Sequence, residues 1–364
     1  MVTEHAGSVN SEFDRFVQVA RCGALSDGKG VLAALAELNE PVDRVAATLQ
    51  RHQVGELAVQ AVRAYEPNSP TATAIDDALA GVRWAPPVGA RVLLDSFVEL
   101  RDAFAGAGVP VLILKGAVLA QRLYGGLDRR PQYDLDVLVP RAAAREARRV
   151  MLKGGYKRVR RDQHAASFVR DPVEVDLHWA LRSAPAYAID HGRVWEDAVP
   201  VVIGDVATRT LSDEHLLLLL SSSVVEDTGL GVARLKQLCD LWLLVRELDA
   251  QFDWAAWFCA RRPERLDTMA ANGLALTLEV LETLNDAPRL CQALEARSDL
   301  LDVKGREHAK SLLAAPRNDA ANSAWFDTVY PGSPLLFRTH SFVARLPASL
   351  RDVRPTRYFP LRRR

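Results

Sequence analysis

The region between residues 109 and 180 constrains the fold most, because it contains short apolar runs that are separated by glycines and polar loops. The segments 109–114 and 134–140 have the length of single strands and are largely apolar, as buried strands are. Helices are predicted over 117–124 and 141–154, each ending at a pair of glycines, and a strand pair over 166–170 and 173–179. This order of strands and helices predicts a small α/β unit.

The segments on both sides of this unit have helical spacing. Leu32, Leu35 and Leu38 recur at three-residue intervals before it, and Leu235 and Leu238 do so after it. We therefore predict an N-terminal helical region (1–92), an α/β core (93–205) and a C-terminal helical region with an arginine-rich tail (206–364).

Charge and cysteine content limit the class of protein. The chain has 364 residues, with 46 basic and 46 acidic side chains, so its net charge is zero. This balance disfavours long nucleic acid as a partner, since phosphate binding normally requires a positive excess. The four cysteines are scattered, and neither a signal peptide nor a membrane-spanning run is apparent, so we expect a cytoplasmic protein and no membrane partner.

Three carboxylates in the α/β unit indicate chemistry. Asp134 and Asp136 are one residue apart on a predicted strand, so their side chains lie on the same face. Two close carboxylates repel each other unless a cation lies between them, and Mg²⁺ is a hard cation that takes oxygen ligands. Asp176 lies on a later predicted strand; if the strands are neighbours, the three carboxylates meet as in two-metal phosphoryl or nucleotidyl transfer.

The motifs around these carboxylates resemble a known group. Three stretches carry the resemblance: Leu112-Ile-Leu-Lys-Gly-Ala-Val-Leu-Ala-Gln-Arg-Leu-Tyr, Arg130-Pro-Gln-Tyr-Asp-Leu-Asp-Val-Leu-Val, and Val173-Glu-Val-Asp-Leu-His-Trp. They are similar to poorly characterised bacterial nucleotidyltransferases of the DNA polymerase β superfamily. The resemblance implies an α/β (α+β) fold, with a polymerase-β-like nucleotidyltransferase core of mixed sheet between helical regions. One departure is that Ser221–Ser223 stand where this subgroup is expected to have a histidine.

The resemblance also implies roles for the site residues. Asp134 and Asp136 would bind the metal that carries the nucleoside triphosphate, and Asp176 would bind a second metal and accept the acceptor's proton. Lys115 and Gly116 form the strand-to-helix turn that would hold the nucleotide phosphates.

Three further residues have alternative interpretations. Arg130 is predicted to neutralise the leaving pyrophosphate, with a plain surface arginine as the alternative. His178 shares the face of Asp176 and is predicted to orient it or to contact nucleotide, with a structural histidine as the alternative. His164 is expected to be a surface histidine, and its joining His178 at a metal is the minor alternative.

The predicted function is Mg²⁺-dependent transfer of a nucleoside monophosphate from a triphosphate to a hydroxyl or similar acceptor, with Mn²⁺ as a possible substitute. The acceptor would be a small molecule, a peptide natural product or a protein. Two alternatives stay open: phosphotransfer or pyrophosphotransfer at the same site, because carboxylate-held metals do not select the phosphorus atom that is attacked, and a non-catalytic nucleotide-binding scaffold.

Overall fold

The computed structural model describes residues 11–82, 88–161, 164–182, 187–229 and 231–314. The N-terminal part is helical, because apolar residues recur on one face of each segment and polar residues cover the other. Its helices are α1 (Ser11–Ala24), α2 (Gly28–Ala36), α3 (Val42–Arg51), α4 (Gly55–Tyr65), α5 (Pro70–Val82) and α6 (Ala90–Gly106).

A five-stranded mixed sheet follows, with the strand order β1-β2-β5-β4-β3. Its elements are β1 (Leu112–Ile113), α7 (Ala117–Leu123), β2 (Leu135–Leu138), α8 (Ala144–Lys153), β3 (Lys157–Arg161), β4 (Ala165–Arg170) and β5 (Val173–His178). Strands β2 and β5 are parallel neighbours, and the other three pairings are antiparallel. The mixed α/β fold that the sequence predicts is therefore confirmed.

A short helix and a two-stranded hairpin connect the sheet to the rest of the chain. They are α9 (His191–Glu196), β6 (Val199–Ile203) and β7 (Val206–Thr210). The hydroxyl of Thr210 donates a hydrogen bond of 2.6 Å to the carbonyl oxygen of Ile113 in β1. The hairpin therefore lies against the edge of the sheet that β1 forms.

The remaining described residues are helical. The helices are α10 (Asp213–Gly229), α11 (Leu235–Leu248), α12 (Trp254–Arg261), α13 (Asp267–Val280), α14 (Pro288–Ala296) and α15 (Val303–Ala314). Within the described ranges, no helix is both long enough and apolar enough to cross a membrane.

Two apolar clusters hold these elements together. The smaller one packs α6 and α8 against one face of the sheet, through side chains such as Phe97, Met151 and Phe168. The larger one includes buried residues of both the N-terminal and the C-terminal helices, together with Leu112 and Leu138 of the sheet. The two helical regions therefore share one core, although they are far apart in sequence.

His52 links these regions by hydrogen bonds. Its Nδ1 atom accepts a hydrogen bond of 3.4 Å from the backbone N–H of Leu235, and its carbonyl oxygen accepts one of 3.3 Å from the N–H of Lys236. These are two of the first N–H groups of α11, which have no partner within the helix. The N-terminal region therefore caps the helix that faces the sheet.

The structure differs from the sequence prediction in four strands. The first predicted strand is reduced to the two residues of β1, and neither β3 nor the β6–β7 hairpin was predicted. Strand β3 has no side chain that is fully buried, so its sequence lacks the apolar alternation by which strands are recognised. Similarly, β7 lies in the segment that was predicted to be helical from residue 206 onward.

Candidate active site

The candidate active site is built on the parallel strands β2 and β5. Asp136 and Asp176 are directly paired in the register of these strands. Side chains alternate between the two faces of a sheet, so paired residues lie on the same face. The neighbouring Val137, Val175 and Leu177 are all fully buried in the apolar cluster of the opposite face.

Asp136, Asp176 and His178 form a compact group. One potential ligand atom from each residue lies within 4.8 Å of those of the other two. His178 Nε2 is 3.2 Å from Asp136 Oδ1, so the histidine contacts Asp136 directly instead of orienting Asp176. Asp176 Oδ1 and His178 Nδ1 are buried and have no hydrogen-bond partner among the described residues. Such an unsatisfied carboxylate oxygen is costly unless a cation or donor binds it.

Lys115 balances part of the negative charge. Its Nζ atom is 3.3 Å from Asp136 Oδ2, and its side chain keeps 34% of its exposure whereas that of Asp136 keeps 2%. Burial alone would raise the pKa of Asp136, but the charge of Lys115 and the hydrogen bond with His178 outweigh it and lower this pKa to about 2. The expected mutual repulsion of the carboxylates is therefore relieved at Asp136 by the protein itself.

Asp134 lies just before β2 and outside the compact group of three. Burial and the charge of Asp136 raise its pKa, and Lys115 opposes this effect. Asp134 is therefore electrostatically linked to the site. Its part as a metal ligand stays a prediction.

Gly116 forms the predicted turn between β1 and α7. Its φ angle is +61°, a conformation that residues with a side chain rarely adopt. A Cβ atom at this position would be 3.3 Å from Gln132 Oε1. The turn therefore requires glycine, and it places the backbone of residue 116 next to Lys115 and the carboxylates.

Arg130 is placed differently from its predicted role. Its Nε and Nη2 atoms donate hydrogen bonds of 2.7 and 2.6 Å to the two carboxylate oxygens of Asp240 in α11. The side chain is only 7% exposed. Because a buried guanidinium bound by both arms is not available to pyrophosphate, Arg130 instead anchors the loop before β2 to α11. The surface alternative is also excluded by this burial.

Two residues near the site were not selected from the sequence. Glu174 lies two residues before Asp176, on the same face of β5, and burial followed by the charge of Asp176 raises its pKa to about 7. Lys236 is buried in α11, where burial and then the charge of Arg130 lower its pKa to about 7. The alternation of polar residues in Val173–His178 was a signal for Glu174, whereas nothing local in the sequence indicated Lys236.

Two of the serines at 221–223, where a histidine was expected, bind an arginine. Arg182 donates hydrogen bonds of 2.9 Å and 2.8 Å to the hydroxyls of Ser222 and Ser223, and it pairs with Glu226 at 3.0 Å. His164 lies beside His178 with ring centroids 5.9 Å apart, but it is outside the compact group with Asp136 and Asp176.

Comparison of the sequence with protein families agrees with this geometry. A model of the uncharacterised nucleotidyltransferase family matches residues 39–282, which include every element of the candidate site. The chain belongs to this family. The predicted family is thus confirmed, and the protein is an enzyme of the nucleotidyltransferase class.

Two other comparisons add little to this assignment. A solved nucleotidyltransferase-like protein, an antigen from Paracoccidioides brasiliensis, matches 58% of this nucleotidyltransferase and 95% of its own chain, with 16% identity and a TM-score of 0.35. No curated protein matches the sequence.

Proposed function

We propose that this nucleotidyltransferase transfers a nucleoside monophosphate from a triphosphate to an acceptor hydroxyl, in a reaction that depends on Mg²⁺ or Mn²⁺. One observation carries the proposal: Asp136 and Asp176 are paired in register on parallel strands, with Lys115 and His178 beside them. Family membership supports the reaction class.

The residues present fit a divalent cation. Asp136 and Asp176 offer hard oxygen ligands on one face, and the buried Asp176 Oδ1 has no other partner in the described part of the chain. Carboxylate oxygens favour Mg²⁺ and Mn²⁺ over softer metals. We propose that Asp134, Asp136 and Asp176 hold the cation, which when bound would lower the pKa of the acceptor hydroxyl and neutralise charge on the phosphates.

The protein's own groups then have distinct tasks. The acceptor oxygen attacks the α-phosphorus, the bond to the pyrophosphate oxygen breaks, and Asp176 accepts the hydroxyl proton. Lys115 is the partly exposed cation next to the carboxylates, so we assign it to the triphosphate oxygens. Gly116 allows close approach of the backbone to these phosphates, and His178 fixes the orientation of Asp136.

Calorimetric titration of each of the four NTPs, in EDTA and in millimolar Mg²⁺, tests the proposal. We expect binding to strengthen with Mg²⁺, because the carboxylates repel a triphosphate that carries no cation. Equal affinity in both buffers would overturn the metal assignment. Pyrophosphate release in the presence of acceptor identifies nucleotidyl transfer, whereas its absence with release of a nucleoside diphosphate or monophosphate would indicate one of the alternative phosphoryl transfers.

We also propose a cytoplasmic location. The described cysteines, Cys22, Cys239, Cys259 and Cys291, are all free thiols, as is typical of a reducing compartment.

A further inference from the structure

Positive charge is concentrated in one part of this neutral chain. Residues 141–161 contain seven arginines, two lysines and one acidic residue, Glu146. We call these nine cations the basic strip: Arg141, Arg145, Arg148, Arg149, Lys153, Lys157, Arg158, Arg160 and Arg161. A net charge of zero for the whole chain therefore does not describe this surface.

The fold keeps these cations at the surface. Every member of the basic strip is exposed except Arg148, which is half-buried. Arg141 directly precedes α8, four of the cations lie on α8, and four lie on β3, an edge strand of the sheet. Arg149 pairs with Glu146, whereas Arg145, Arg158 and Arg161 have no salt bridge among the described residues. Burial, and then the charges of Arg161, Arg158 and Arg145, lower the pKa of Arg148, so the cations are close enough to repel each other.

The edge strand β3 connects the basic strip to the candidate active site. Its Lys157 and Arg160 share the face of Asp176, whereas Arg158 and Arg161 face the side that α8 covers, so a ligand on the strip reaches Asp176 across this edge. Arg160 pairs with Ser167, Ser167 pairs with Asp176, and Asp176 pairs with Asp136, in the registers of four adjacent strands. These residues form one row across the same face of the sheet. With strands about 4.8 Å apart, Arg160 lies roughly 10 Å from Asp176 along this row.

We propose that the basic strip binds the phosphate backbone of a folded nucleic acid, and that this nucleic acid supplies the acceptor hydroxyl at Asp176. The inference rests on the proposed function for its second half. A nucleic acid acceptor replaces the small molecule, peptide natural product or protein that the sequence analysis expected from the net charge of zero.

Charge complementarity selects this partner. Edge strands often carry cations that prevent aggregation, but this explains only β3 and not the four exposed or half-buried arginines and lysines of α8. An acidic protein would need an apolar centre in its interface, and Leu152, which is 58% exposed, is the only large exposed apolar residue of the strip. The one aromatic residue, Tyr156, is buried and cannot stack on bases. Contact with phosphates and not with bases is therefore expected.

Binding of a labelled RNA hairpin to the full chain, measured by fluorescence anisotropy, tests the first half. The strip extends over about 15 Å of helix, so contact with about three phosphates is expected, and affinity should fall by roughly 15-fold or more between 50 and 200 mM salt. The triple variant Arg145→Glu, Arg158→Glu, Arg161→Glu should lose at least about tenfold in affinity.

A matched variant controls for net charge. Lys29→Glu, Arg246→Glu, Lys304→Glu changes three exposed cations of the helical regions and should bind RNA within about twofold of the unchanged protein. Equal RNA affinity of the strip variant and this control would overturn the proposal. Tighter binding of polyglutamate than of RNA at matched charge would also overturn it, in favour of an acidic polypeptide.

A cross-over design separates this inference from the proposed function. The strip variant should bind Mg-NTP normally and RNA poorly, whereas Asp136→Asn should bind RNA normally and Mg-NTP poorly. Transfer of label from an α-labelled NTP to the hairpin should be lost in both. RNA binding without any transfer by the unchanged protein, while Mg-NTP still binds, would overturn the acceptor assignment alone.

Discussion

Two buried aspartates, Asp240 and Asp136, each face a cation, yet their surroundings differ. Both oxygens of Asp240 accept hydrogen bonds of 2.6–2.7 Å from Arg130, and the hydroxyl of Tyr124 donates another of 2.8 Å. Within the described ranges, the side chain of Asp136 has only Lys115 at 3.3 Å and His178 at 3.2 Å as partners. Its neighbour Asp176 has a buried oxygen with no partner in the described chain.

The difference indicates two kinds of buried charge. At Asp240 the protein supplies all the partners itself in short, forked geometry, which fixes a loop to a helix. At Asp136 and Asp176 the contacts are longer and incomplete, so an external ligand is needed to satisfy them. The second arrangement is the one expected of a site that binds and releases substrate.

The largest effect is expected from Asp176→Asn. The change keeps the size of the side chain but removes the charge and the proposed proton acceptor, so transfer should fall by on the order of 10³-fold or more. The melting temperature of the protein without ligand should stay the same or rise slightly, because the oxygen has no partner to lose. Steady-state kinetics and thermal melts measure the two quantities.

Asp171→Asn, in the exposed turn before β5, is the matched control for this change and should leave both quantities as they are. If Asp176→Asn lowered the melting temperature and kept activity, Asp176 would belong with Asp240 as a structural carboxylate. Asp136→Asn is a less clean test, since it also removes the contacts with Lys115 and His178.

The next largest effect is on stability, at Asp240. Asp240→Asn leaves the Arg130 guanidinium buried without its counter-charge, and we expect a loss of about 3–5 kcal/mol in the free energy of unfolding. Tyr124→Phe removes only one hydrogen bond and should cost about 1 kcal/mol. Urea unfolding curves give both values.

Joint replacement of the pair is the control for Asp240. Arg130→Met with Asp240→Leu removes both charges and should recover most of the lost stability. No recovery would mean that the hydrogen-bond geometry, and not the unpaired charge, determines the cost.

The smallest effect concerns Glu174, whose Oε1 atom is also buried without a partner among the described residues. Burial and the charge of Asp176 raise its pKa from 4.5 to about 7. The folded state then binds more protons than the unfolded state between these pH values, so the free energy of unfolding falls as the pH rises from 4.5 to 7. Glu174→Gln should remove this slope and stabilise the metal-free protein by about 1–2 kcal/mol at pH 8.

Melts in EDTA across pH 4.5–8 measure this slope, and Glu66→Gln, at an exposed glutamate, is the control. A slope that persists in Glu174→Gln would assign it to another group. Together, Asp176→Asn, Asp240→Asn and Glu174→Gln rank the buried carboxylates by how fully the protein satisfies their hydrogen-bonding and charge requirements.

Much of the site was readable from the sequence because its signals are local. The paired strands, the turn at Gly116 and the polar alternation around Asp176 depend on residues a few positions apart, and each was predicted close to its observed place. The resemblance supplied the family, which the sequence-family match confirms. The division into three regions stays a prediction, although their helices share one apolar cluster.

The features that the sequence did not predict depend mostly on contacts between distant segments. Arg130 was assigned to pyrophosphate because nothing near it in sequence shows that Asp240, 110 residues later, binds it. The same holds for Lys236, which reaches the loop before β2 only because α11 packs there. Strand β3 was missed for a different reason: an exposed edge strand of cations has no apolar pattern.

The register between β2 and β5 also determines which changes in chain length the enzyme tolerates. Adding or removing one residue between Val173 and Asp176 would turn Asp176 into the apolar layer and bring a valine or leucine to the reacting face. A substitution removes one group at a time, whereas a single-residue change in length here removes Asp176 and His178 from the site together. The turn between α8 and β3 carries no such restriction, so an insertion is expected to be tolerated there, whereas an insertion inside β5 is expected to abolish activity.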